Sequence, residues 1–503
     1  MNYRLLLKRL VWTSTAIRLI IAACLLLGTD EVYYYFYAEH LQWNYFDHPP
    51  GVALLIRIFT FNGFFRDEVF IRLGSIVMAA LNTMLIFRIT AKLHNERAGW
   101  FAALLYTASI YASIICGVFI LPDSPQCFFW MLSLYLMQQL FFGTPAGNQK
   151  RNQLLMLGLC IGVATMCKVH GILLWAGAGL YILFFDRKWL KEPWLYVAAI
   201  VTAIVISPIL IWNINNDFIT YRFHSERVEG GHLRWDTLGT EIAGELFYNN
   251  PLAVLCTWLG CMAWFKRKQL VPISKLKWLL CMGLPIIVVL WILSLKNPVL
   301  PHWSGPGYMT LLIAAAIGLS LKNSNGTPIL IRSAVVLIVV IAFGGVLLIN
   351  FYPGTLGGKK EGRLGSNDFS LDMYGWKEVK RTMDSLYLSD KMHNRISQDP
   401  FLLTNKWFPA SHLDYYVAQP LNWPLIAVGP LDDIHHYHWL NEYRHFDPRG
   451  KDAYIIVPSN FYYDAPGAFS GHYQAIDTAM TLPQYRSGAH VRDFYILRLH
   501  RYE

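Results

Sequence analysis

The stretch VWTSTAIRLIIAACLLLGTDE, from Val11 to Glu31, decides the fold class of this 503-residue chain. Its apolar part, up to about Gly28, is close to the roughly 20 residues that a helix needs to cross a bilayer. Basic residues precede it, as in a signal peptide, but no small-residue cleavage pattern stands before Asp30. We therefore predict a retained first membrane helix that is followed directly by two acids, Asp30 and Glu31.

Similar apolar segments recur along the first 350 residues. The chain is 54% hydrophobic and 15% charged, with a mean hydropathy of +0.33, whereas a soluble domain carries about 25% charged residues. Only helices and closed barrels satisfy their backbone in lipid, and the period-2 alternation of a barrel is absent. The sequence thus predicts a polytopic α-helical membrane protein with about eleven transmembrane helices, at roughly 11–28, 69–92, 98–118, 125–142, 154–167, 169–185, 195–213, 247–265, 277–295, 304–321 and 329–350.

The net charge of +10 is distributed as in a membrane protein. Basic residues cluster in alternate short loops, for example Arg88, Lys92 and Arg97, which predicts that these loops and the N-terminus face the cytoplasm. The same placement argues against nucleic acid as a partner. An odd number of spans then predicts a multi-pass protein of the cytoplasmic (inner) membrane whose C-terminal region lies outside.

The composition changes after about residue 350, and the chain divides there into two predicted domains. Residues 1–350 form the transmembrane domain, and residues 351–503 form an extracytoplasmic α/β domain. An amphipathic helix is predicted from Gly375, and a glycine-rich linker from Pro353 to Ser366. Buried strands are predicted at 401–404, 424–428, 453–457 and 494–499.

Polar residues with chemical potential concentrate in the predicted outward loops. Asp30 and Glu31 could solvate a helix end, or could orient or deprotonate an acceptor. The turn Asp47-His48-Pro49-Pro50-Gly51 could be a simple rigid turn, or could place His48 to donate a hydrogen bond to a phosphate. Tyrosine-rich sequence between the two suggests an aromatic belt at the membrane surface.

A second group of candidates lies at the ends of the predicted spans. Asp123, in Leu121-Pro122-Asp123-Ser124-Pro125, is read either as a helix N-cap or as a reactive carboxylate. Ionisable groups at membrane depth are costly and usually face a cavity or a partner, with snorkelling to the surface as the alternative. The basic candidates with this ambiguity are Arg72, Lys168, His170, Lys296 and His302.

Metal and nucleotide motifs are not found in the sequence. The run His435-His436-Tyr437-His438 lacks the ligand spacing of a zinc site, so the metal is left unassigned. There is no glycine-rich phosphate loop, no G-x-S-x-G and no H-E-x-x-H. No cofactor is assigned, and a divalent cation at the carboxylates stays open.

Taken together, the motifs resemble the bacterial glycosyltransferase family 39, the protein-mannosyltransferase-like group, which includes aminoarabinose transferases that modify lipid A. The resemblance covers about residues 10–350 and rests on the order of several short motifs. These are Asp30-Glu31, Asp47-His48-Pro49-Pro50-Gly51, Arg72-Leu73-Gly74-Ser75, Pro122-Asp123, Cys167-Lys168-Val169-His170-Gly171, Trp212-Asn213 and Pro301-His302-Trp303.

That resemblance implies a GT-C fold and an enzyme that moves a sugar from a polyprenyl-phosphate carrier to an envelope acceptor, with inversion. Asp30, with Glu31 beside it, would be the carboxylate nearest the acceptor, and Asp123 the second acid. His48 stands where aminoarabinose transferases carry Lys, which meets the carrier phosphate. Tyr33 and Tyr34 stand where those relatives have an Arg, so another basic side chain must take the place of that Arg. The remaining substrate-binding candidates are Asp47, Arg72, Lys168, His170, Lys296 and His302.

Other functional classes remain open from the sequence alone. A transporter or flippase of lipid-linked sugars would use intramembrane ionisable residues, but inverted repeats are not evident. A glycan ligase or polymerase would move preassembled chains and would share the same motifs. Buried charges argue against a non-catalytic scaffold. The expected partners are a polyprenyl-phosphate-linked sugar, a lipid or glycan acceptor (lipid A, polysaccharide, lipid or protein) and membrane lipids.

Overall fold

A computed structural model describes residues 1–226, 233–322 and 326–503. The chain divides into two compact units, which are residues 1–22 with 41–342, and residues 23–40 with 343–503. The sequence analysis placed residues 23–40 in the transmembrane domain, so the structure corrects that assignment. The second unit also begins at Phe343, a few residues before the predicted boundary.

Helices dominate the first 351 residues. Proline, asparagine or aspartate stands at several helix starts; for example, the Asp67 side chain accepts hydrogen bonds from the backbone N–H groups of Val69 and Phe70. The helices are α1 (Tyr3–Cys24), α2 (Thr29–Glu39), α3 (Gly51–Phe59), α4 (Glu68–Leu93), α5 (Glu96–Ala108), α6 (Asp123–Phe142), α7 (Gly147–Cys167), α8 (Leu173–Phe185), α9 (Pro193–Asn215), α10 (Ile219–Glu226), α11 (Trp235–Tyr248), α12 (Pro251–Lys266), α13 (Ile273–Ser294), α14 (Gly305–Ser320) and α15 (Ile329–Phe351).

Within the described residues, four helices are long and apolar enough to cross a membrane, namely α4, α9, α13 and α15. A fifth is added if α1 and α2 are counted as one broken span. The predicted count of about eleven is therefore not confirmed. Most of the other predicted spans do fall on helices, but these helices are shorter or less apolar, as the 16-residue α12 illustrates.

The interior of the first unit is a continuous apolar cluster. Fully buried side chains from α4, α5, α6, α7, α8, α12, α13 and α14 contribute to it, among them Trp130, Trp264 and Trp278. Trp130 also donates from Nε1 to Thr310 Oγ1 at 2.9 Å, which satisfies its polar atom inside the cluster. This packed core fixes the ends of the helices on which the candidate site is built.

The second unit contains a five-stranded mixed sheet in the order β2-β1-β3-β5-β4. Strand β1 is parallel to β2 and β3, whereas β5 is antiparallel to β3 and β4. The predicted strands and the predicted amphipathic helix are confirmed. Strand β4 was not predicted from the sequence, because its side chains are mostly exposed or half-buried and two register shifts interrupt its pairing. The elements are α16 (Trp376–Met392), β1 (Phe401–Thr404), α17 (Trp407–Leu413), α18 (Gln419–Leu421), β2 (Leu425–Ala427), α19 (Leu431–Ile434), α20 (Tyr437–Tyr443), β3 (Ala453–Pro458), α21 (Ala465–Ala468), β4 (Tyr473–Arg486) and β5 (Ala489–Tyr502).

Aromatic packing explains why α2 belongs to the second unit. The Tyr33 ring lies 4.9 Å from the Trp407 ring, and the Tyr33 hydroxyl accepts a hydrogen bond from the His436 backbone N–H at 3.2 Å. Gln419 donates to Glu39 at 2.7 Å. The residues from Tyr33 to Tyr37 are therefore buried, which corrects their prediction as an aromatic belt at the membrane surface.

The predicted linker is also a folded part of the second unit. Arg486 donates hydrogen bonds to the carbonyls of Tyr352 and Gly354, at 2.8 and 2.7 Å. The Asp368 carboxylate accepts from the Thr355 hydroxyl and from the Leu356 N–H, both at 2.7 Å. These bonds fix the segment, so the prediction of a free linker was wrong.

Candidate active site

A buried ion pair joins Asp123 and Lys168. The Lys168 ammonium donates to Asp123 Oδ2 at 2.8 Å, and both side chains are only 3% exposed. Asp123 is the first residue of α6, where the helix dipole favours an acid. Pro122 occupies the N-cap position and no side chain caps this helix. The carboxylate is thus directed to Lys168, and the N-cap interpretation of Asp123 does not describe the structure.

Tyr111 holds the second oxygen of the same carboxylate. Its hydroxyl donates to Asp123 Oδ1 at 2.9 Å. Tyr111 begins a five-residue π-helix, Tyr111–Ile115, a rare geometry that is frequent at functional sites. A Cβ on Gly305 would lie 2.1 Å from the Tyr111 ring, so only glycine allows α14 to start against this ring. The sequence analysis missed Tyr111 because it lies in an apolar stretch without any polar motif.

Lys168 stands in a break between two helices, as the predicted spans 154–167 and 169–185 imply. It is extended (φ −155°, ψ 132°) between α7 and the short 3₁₀ turn Val169–Ile172. Its carbonyl accepts from Gln126 Nε2 at 3.3 Å, and its ammonium lies 5.3 Å from the Trp303 ring centroid. The ring of His170 lies 5.4 Å from that of Trp303. The aromatic face stabilises the buried cation without using its N–H groups.

The turn with His48 packs next to Lys168. A Cβ on Gly51 would lie 2.6 Å from Cys167 Cα, so glycine is required for this close approach. Burial is the main cause that lowers the pKa of His48, and the positive charge of Lys168 adds to it, while Asp47 acts in the opposite direction. Asp47 itself is half-buried, and its backbone oxygen contacts the His48 ring.

His302 lies within electrostatic range of the same pair. Burial lowers the pKa of His302 to about 4, with Asp123 acting against this shift and Lys168 and His48 adding to it. His302 is therefore neutral at neutral pH. A neutral imidazole donates one hydrogen bond and carries no net charge, so His302 does not add positive charge to this pair.

Two other basic candidates, Arg72 and Lys296, are placed differently from the residues around the Asp123–Lys168 ion pair. Arg72 is buried near the start of α4, donates to the carbonyl of Ala22 at 3.1 Å and lies 5.6 Å from the Phe119 ring centroid. Lys296 is exposed, and its side chain forms no hydrogen bond or ion pair with any described residue. The structure thus gives no support to the prediction that Lys296 belongs to the site.

Asp30 and Glu31 lie in the second unit, in the first turn of α2. Asp30 is exposed. Glu31 is buried, and its carboxylate accepts the backbone N–H of Gly28 at 2.8 Å, which caps the helix. The two adjacent acids therefore differ in burial, because Asp30 is exposed and Glu31 is buried.

A pair of glutamates on α11 was also missed. Glu245 accepts from Trp291 Nε1 at 2.8 Å and from the Tyr308 hydroxyl at 3.2 Å. Glu241, one turn earlier, is buried, and neither of its carboxylate oxygens has a partner in the described parts of the chain. Burial, followed by the charge of Glu245, raises the pKa of Glu241 to about 7. The sequence pattern that could have revealed this pair is two acids four residues apart in a mainly apolar segment.

The described residues around Asp123 do not form a metal site. The described ranges contain no group of three or more His, Cys, Asp or Glu side chains that could hold an ion. Asp123 already uses both oxygens, for Lys168 and Tyr111. The residues do not fit a divalent cation, and no reaction step is derived through one.

Comparison with known proteins adds the family context to this geometry. Residues 47–212 match the family model described as dolichyl-phosphate-mannose-protein mannosyltransferase. The predicted family resemblance is confirmed over these residues, a shorter stretch than the predicted range of about residues 10–350. The matched segment contains His48, Arg72, Asp123 and Lys168, which were all chosen from the sequence.

Relatives of known structure or activity agree with this family. A lipid A galacturonosyltransferase of Rhizobium johnstonii, RgtD, is 24% identical over 304 residues, which are 59% of this chain and 61% of that relative. ArnT from Cupriavidus metallidurans, bound to undecaprenyl phosphate, matches with a TM-score of 0.61 at 14% identity, over 97% of each chain. Its apo state gives 0.60. The chain has the fold of ArnT, which confirms a multi-pass GT-C architecture with a C-terminal sheet domain.

Proposed function

We propose that this chain is a glycosyltransferase that moves a sugar from a polyprenyl-phosphate carrier to an envelope acceptor, with inversion at the anomeric carbon. The family match, the galacturonosyltransferase relative and the ArnT structure with bound undecaprenyl phosphate support this class of reaction. The reaction breaks the bond between the anomeric carbon and a phosphate oxygen. The phosphate leaves with the electron pair, so a cation must stabilise its charge.

The observation that carries this proposal is the incomplete hydrogen bonding of Lys168. Within the described residues its ammonium donates a single hydrogen bond, to Asp123. An ammonium has three N–H donors, so two are left for a ligand. A buried cation with spare donors matches the needs of a phosphate, because charge-assisted hydrogen bonds are strong where water is excluded.

In the proposed reaction Asp123 holds Lys168 in place until the donor arrives. Tyr111 fixes the other carboxylate oxygen, so the pair is oriented before the donor binds. His302, as a neutral imidazole, adds a hydrogen-bond donor without adding charge, and His48 lies in the turn that packs beside Lys168. Lys168 then carries the permanent positive charge that stabilises the leaving phosphate. The result is stronger binding of the charged leaving group than of the intact donor.

The acceptor must lose a proton as its oxygen attacks the anomeric carbon from the opposite face. We assign this task to Asp30, which is exposed, as the family resemblance implies. Asp123 orients the reacting groups. Glu31 is left out of the chemistry, because its carboxylate caps α2.

Lipid A is our first choice of acceptor, since the RgtD relative is named for it. The reaction is placed on the outer side of the cytoplasmic membrane, with the second unit outside, from the alternation of basic loops. A C-terminal phosphatase fusion active outside the cytoplasm is expected. An active cytoplasmic reporter at the same position would contradict this topology.

The test of the proposal uses purified protein in nanodiscs with a lipid A extract. One arm receives a labelled polyprenyl-phosphate sugar and the other a labelled nucleotide sugar. We expect product only in the first arm, with a mass increase of one sugar. Transfer from the nucleotide sugar alone would refute the proposal. Movement of the lipid-linked sugar across the membrane without product would identify a transporter, and transfer of a preassembled chain would identify a ligase.

A further inference from the structure

A groove of about 690 Å³ lies between α1 and α4, apart from the candidate active site. Its wall is apolar and includes Val11, Trp12 and Phe87. Trp12 is 77% exposed, although it is a large aromatic side chain. Tryptophan is enriched at the membrane–water interface, where an apolar body can lie beside polar groups. The groove therefore offers a surface for an acyl chain.

Four basic side chains line the same groove, namely Arg4, Lys8, Arg88 and Lys92. Arg4 and Lys8 are spaced i, i+4 on α1, and Arg88 and Lys92 are spaced i, i+4 on α4. Like charges at this spacing repel each other and destabilise a helix. Two such pairs face each other across one groove, so the arrangement favours an anion between them.

Acidic side chains among the described residues do not balance the four basic side chains of the groove. Among the described residues that line the groove, Glu96 is the one acid, and it pairs with Arg4 at 2.7 Å. Lys92 donates to the Tyr135 hydroxyl at 3.0 Å. For Lys8 and Arg88, the described ranges contain no side-chain hydrogen bond or ion pair. Two cations thus remain uncompensated at the edge of an apolar surface.

The groove is remote from the site proposed for the donor. Ser75, near the start of α4, is hydrogen-bonded to Ser124, the neighbour of Asp123, at 3.0 Å. Arg88 follows Ser75 by thirteen residues on the same helix, which is about 20 Å along the axis. Helix α4 is long and apolar enough to span the membrane. The groove therefore lies at the opposite end of that helix, and the phosphate that reacts near Lys168 cannot also occupy it.

We propose that this groove binds an anionic phospholipid, with the headgroup phosphate between Lys8 and Arg88 and one acyl chain along Trp12 and Phe87. Basic pockets at the edge of membrane helices bind acidic headgroups in this way. The apolar part of the wall, with Val11, Trp12 and Phe87, explains why a lipid is favoured over a soluble anion. Under the predicted topology the lipid belongs to the inner leaflet.

The test measures lipid binding by native mass spectrometry and by the shift in Tm. Purified full-length protein in neutral detergent receives phosphatidylglycerol or phosphatidylcholine with identical acyl chains. We expect phosphatidylglycerol to be retained preferentially and to raise the Tm. In the double variant Lys8→Gln/Arg88→Gln, the apparent affinity for phosphatidylglycerol should fall by about tenfold or more.

A matched control removes the same charge elsewhere. Arg9→Gln/Lys191→Gln changes two exposed basic residues that do not line the groove, and its affinity should stay within about twofold of wild type. If the double variant does not fold, the single variants Lys8→Gln and Arg88→Gln carry the same test.

Four outcomes would overturn the proposal. They are equal retention of both lipids, an equal loss in the control variant, an equal Tm shift with inorganic phosphate, and displacement of phosphatidylglycerol by undecaprenyl phosphate at equimolar concentration. The third would indicate a free-anion site, and the fourth a second site for the carrier.

Discussion

Two buried acid–base pairs, one in each unit, differ in how fully their hydrogen bonds are used. In the second unit, Arg498 binds Asp390 through two parallel hydrogen bonds of 2.6 and 2.8 Å, and Tyr454 donates to the same carboxylate at 2.7 Å. Arg498 also reaches Asp477 at 2.6 Å. In the first unit, the Lys168 ammonium makes one bond, to Asp123, among the described residues.

The difference separates a structural pair from a pair that can exchange partners. Arginine has a rigid fork that matches a carboxylate, and in the second unit that fork is filled. Lysine is a compact charge on a flexible stem, and Lys168 keeps donors for another anion. Removing either pair should affect stability, but only the pair with spare donors should determine transfer.

The largest expected effect comes from removing the two carboxylates in turn. Asp123→Asn should lower the transfer rate by about a hundredfold or more, because Lys168 is no longer held for the donor phosphate. Asp390→Asn should lower the Tm but keep the turnover of the folded fraction. Initial rates with lipid-linked donor, normalised to the folded peak in gel filtration, measure both. An Asp123→Asn rate within twofold of wild type would contradict the assignment.

The next effect tests whether Lys168 is needed for its charge. Lys168→Gln leaves Asp123 buried without its cation, a change that costs about 3–5 kcal/mol, and it should also raise the KM for the donor. The double variant Lys168→Gln/Asp123→Asn should recover most of the lost Tm but no activity. Recovery of activity together with Tm would show that the pair is purely structural.

A smaller effect concerns pH. The folded pKa of His302, about 4, lies below its ordinary value of 6.5, so the folded protein binds fewer protons than the unfolded chain between these values. The contribution of His302 to stability is thus complete above about pH 6.5 and declines as the pH falls towards 4. In His302→Gln the Tm should decline less over this window than in wild type. His438→Gln, at a half-exposed histidine, should follow wild type. Equal slopes in all three proteins would contradict the buried, neutral state of His302.

The smallest effect is expected at Lys296, an exposed basic candidate that does not contact Asp123 or Lys168. Lys296→Gln should change the donor KM by less than about twofold, because an exposed charge contributes little. The comparison with Lys168→Gln uses the same substitution in the same unit. A change as large as that of Lys168→Gln would place Lys296 at the donor.

The sequence was informative where a polar residue interrupts an apolar segment. Lys168 and Asp123 could be chosen for that reason, and the structure brings them together. Tyr111 could not be found, because a tyrosine among apolar residues has no distinctive pattern and its role depends on a local π-helix. His302 was visible as a residue, but its neutral state follows from burial, which a linear pattern does not contain.

For the fold, too, some features follow from local sequence patterns and others depend on contacts between distant residues. Apolar length predicts the helices well, whereas it does not determine how many of them cross the membrane. The tyrosine-rich α2 has the composition of a membrane-interface segment, but Trp407 and His436 in the second unit cover it. Such long-range partners are separated by more than 350 residues in the chain, so local patterns cannot reveal them.

The most direct test of the central claim is the mass spectrum of envelope glycolipids from cells that lack the gene and carry one of three plasmids. These encode wild type, Asp123→Asn or Asp390→Asn, at matched membrane levels. We predict that wild type and Asp390→Asn restore a glycolipid one sugar heavier than its precursor, and that Asp123→Asn leaves only the precursor. Restoration of the heavier glycolipid by Asp123→Asn would contradict a working site built on the Asp123–Lys168 pair.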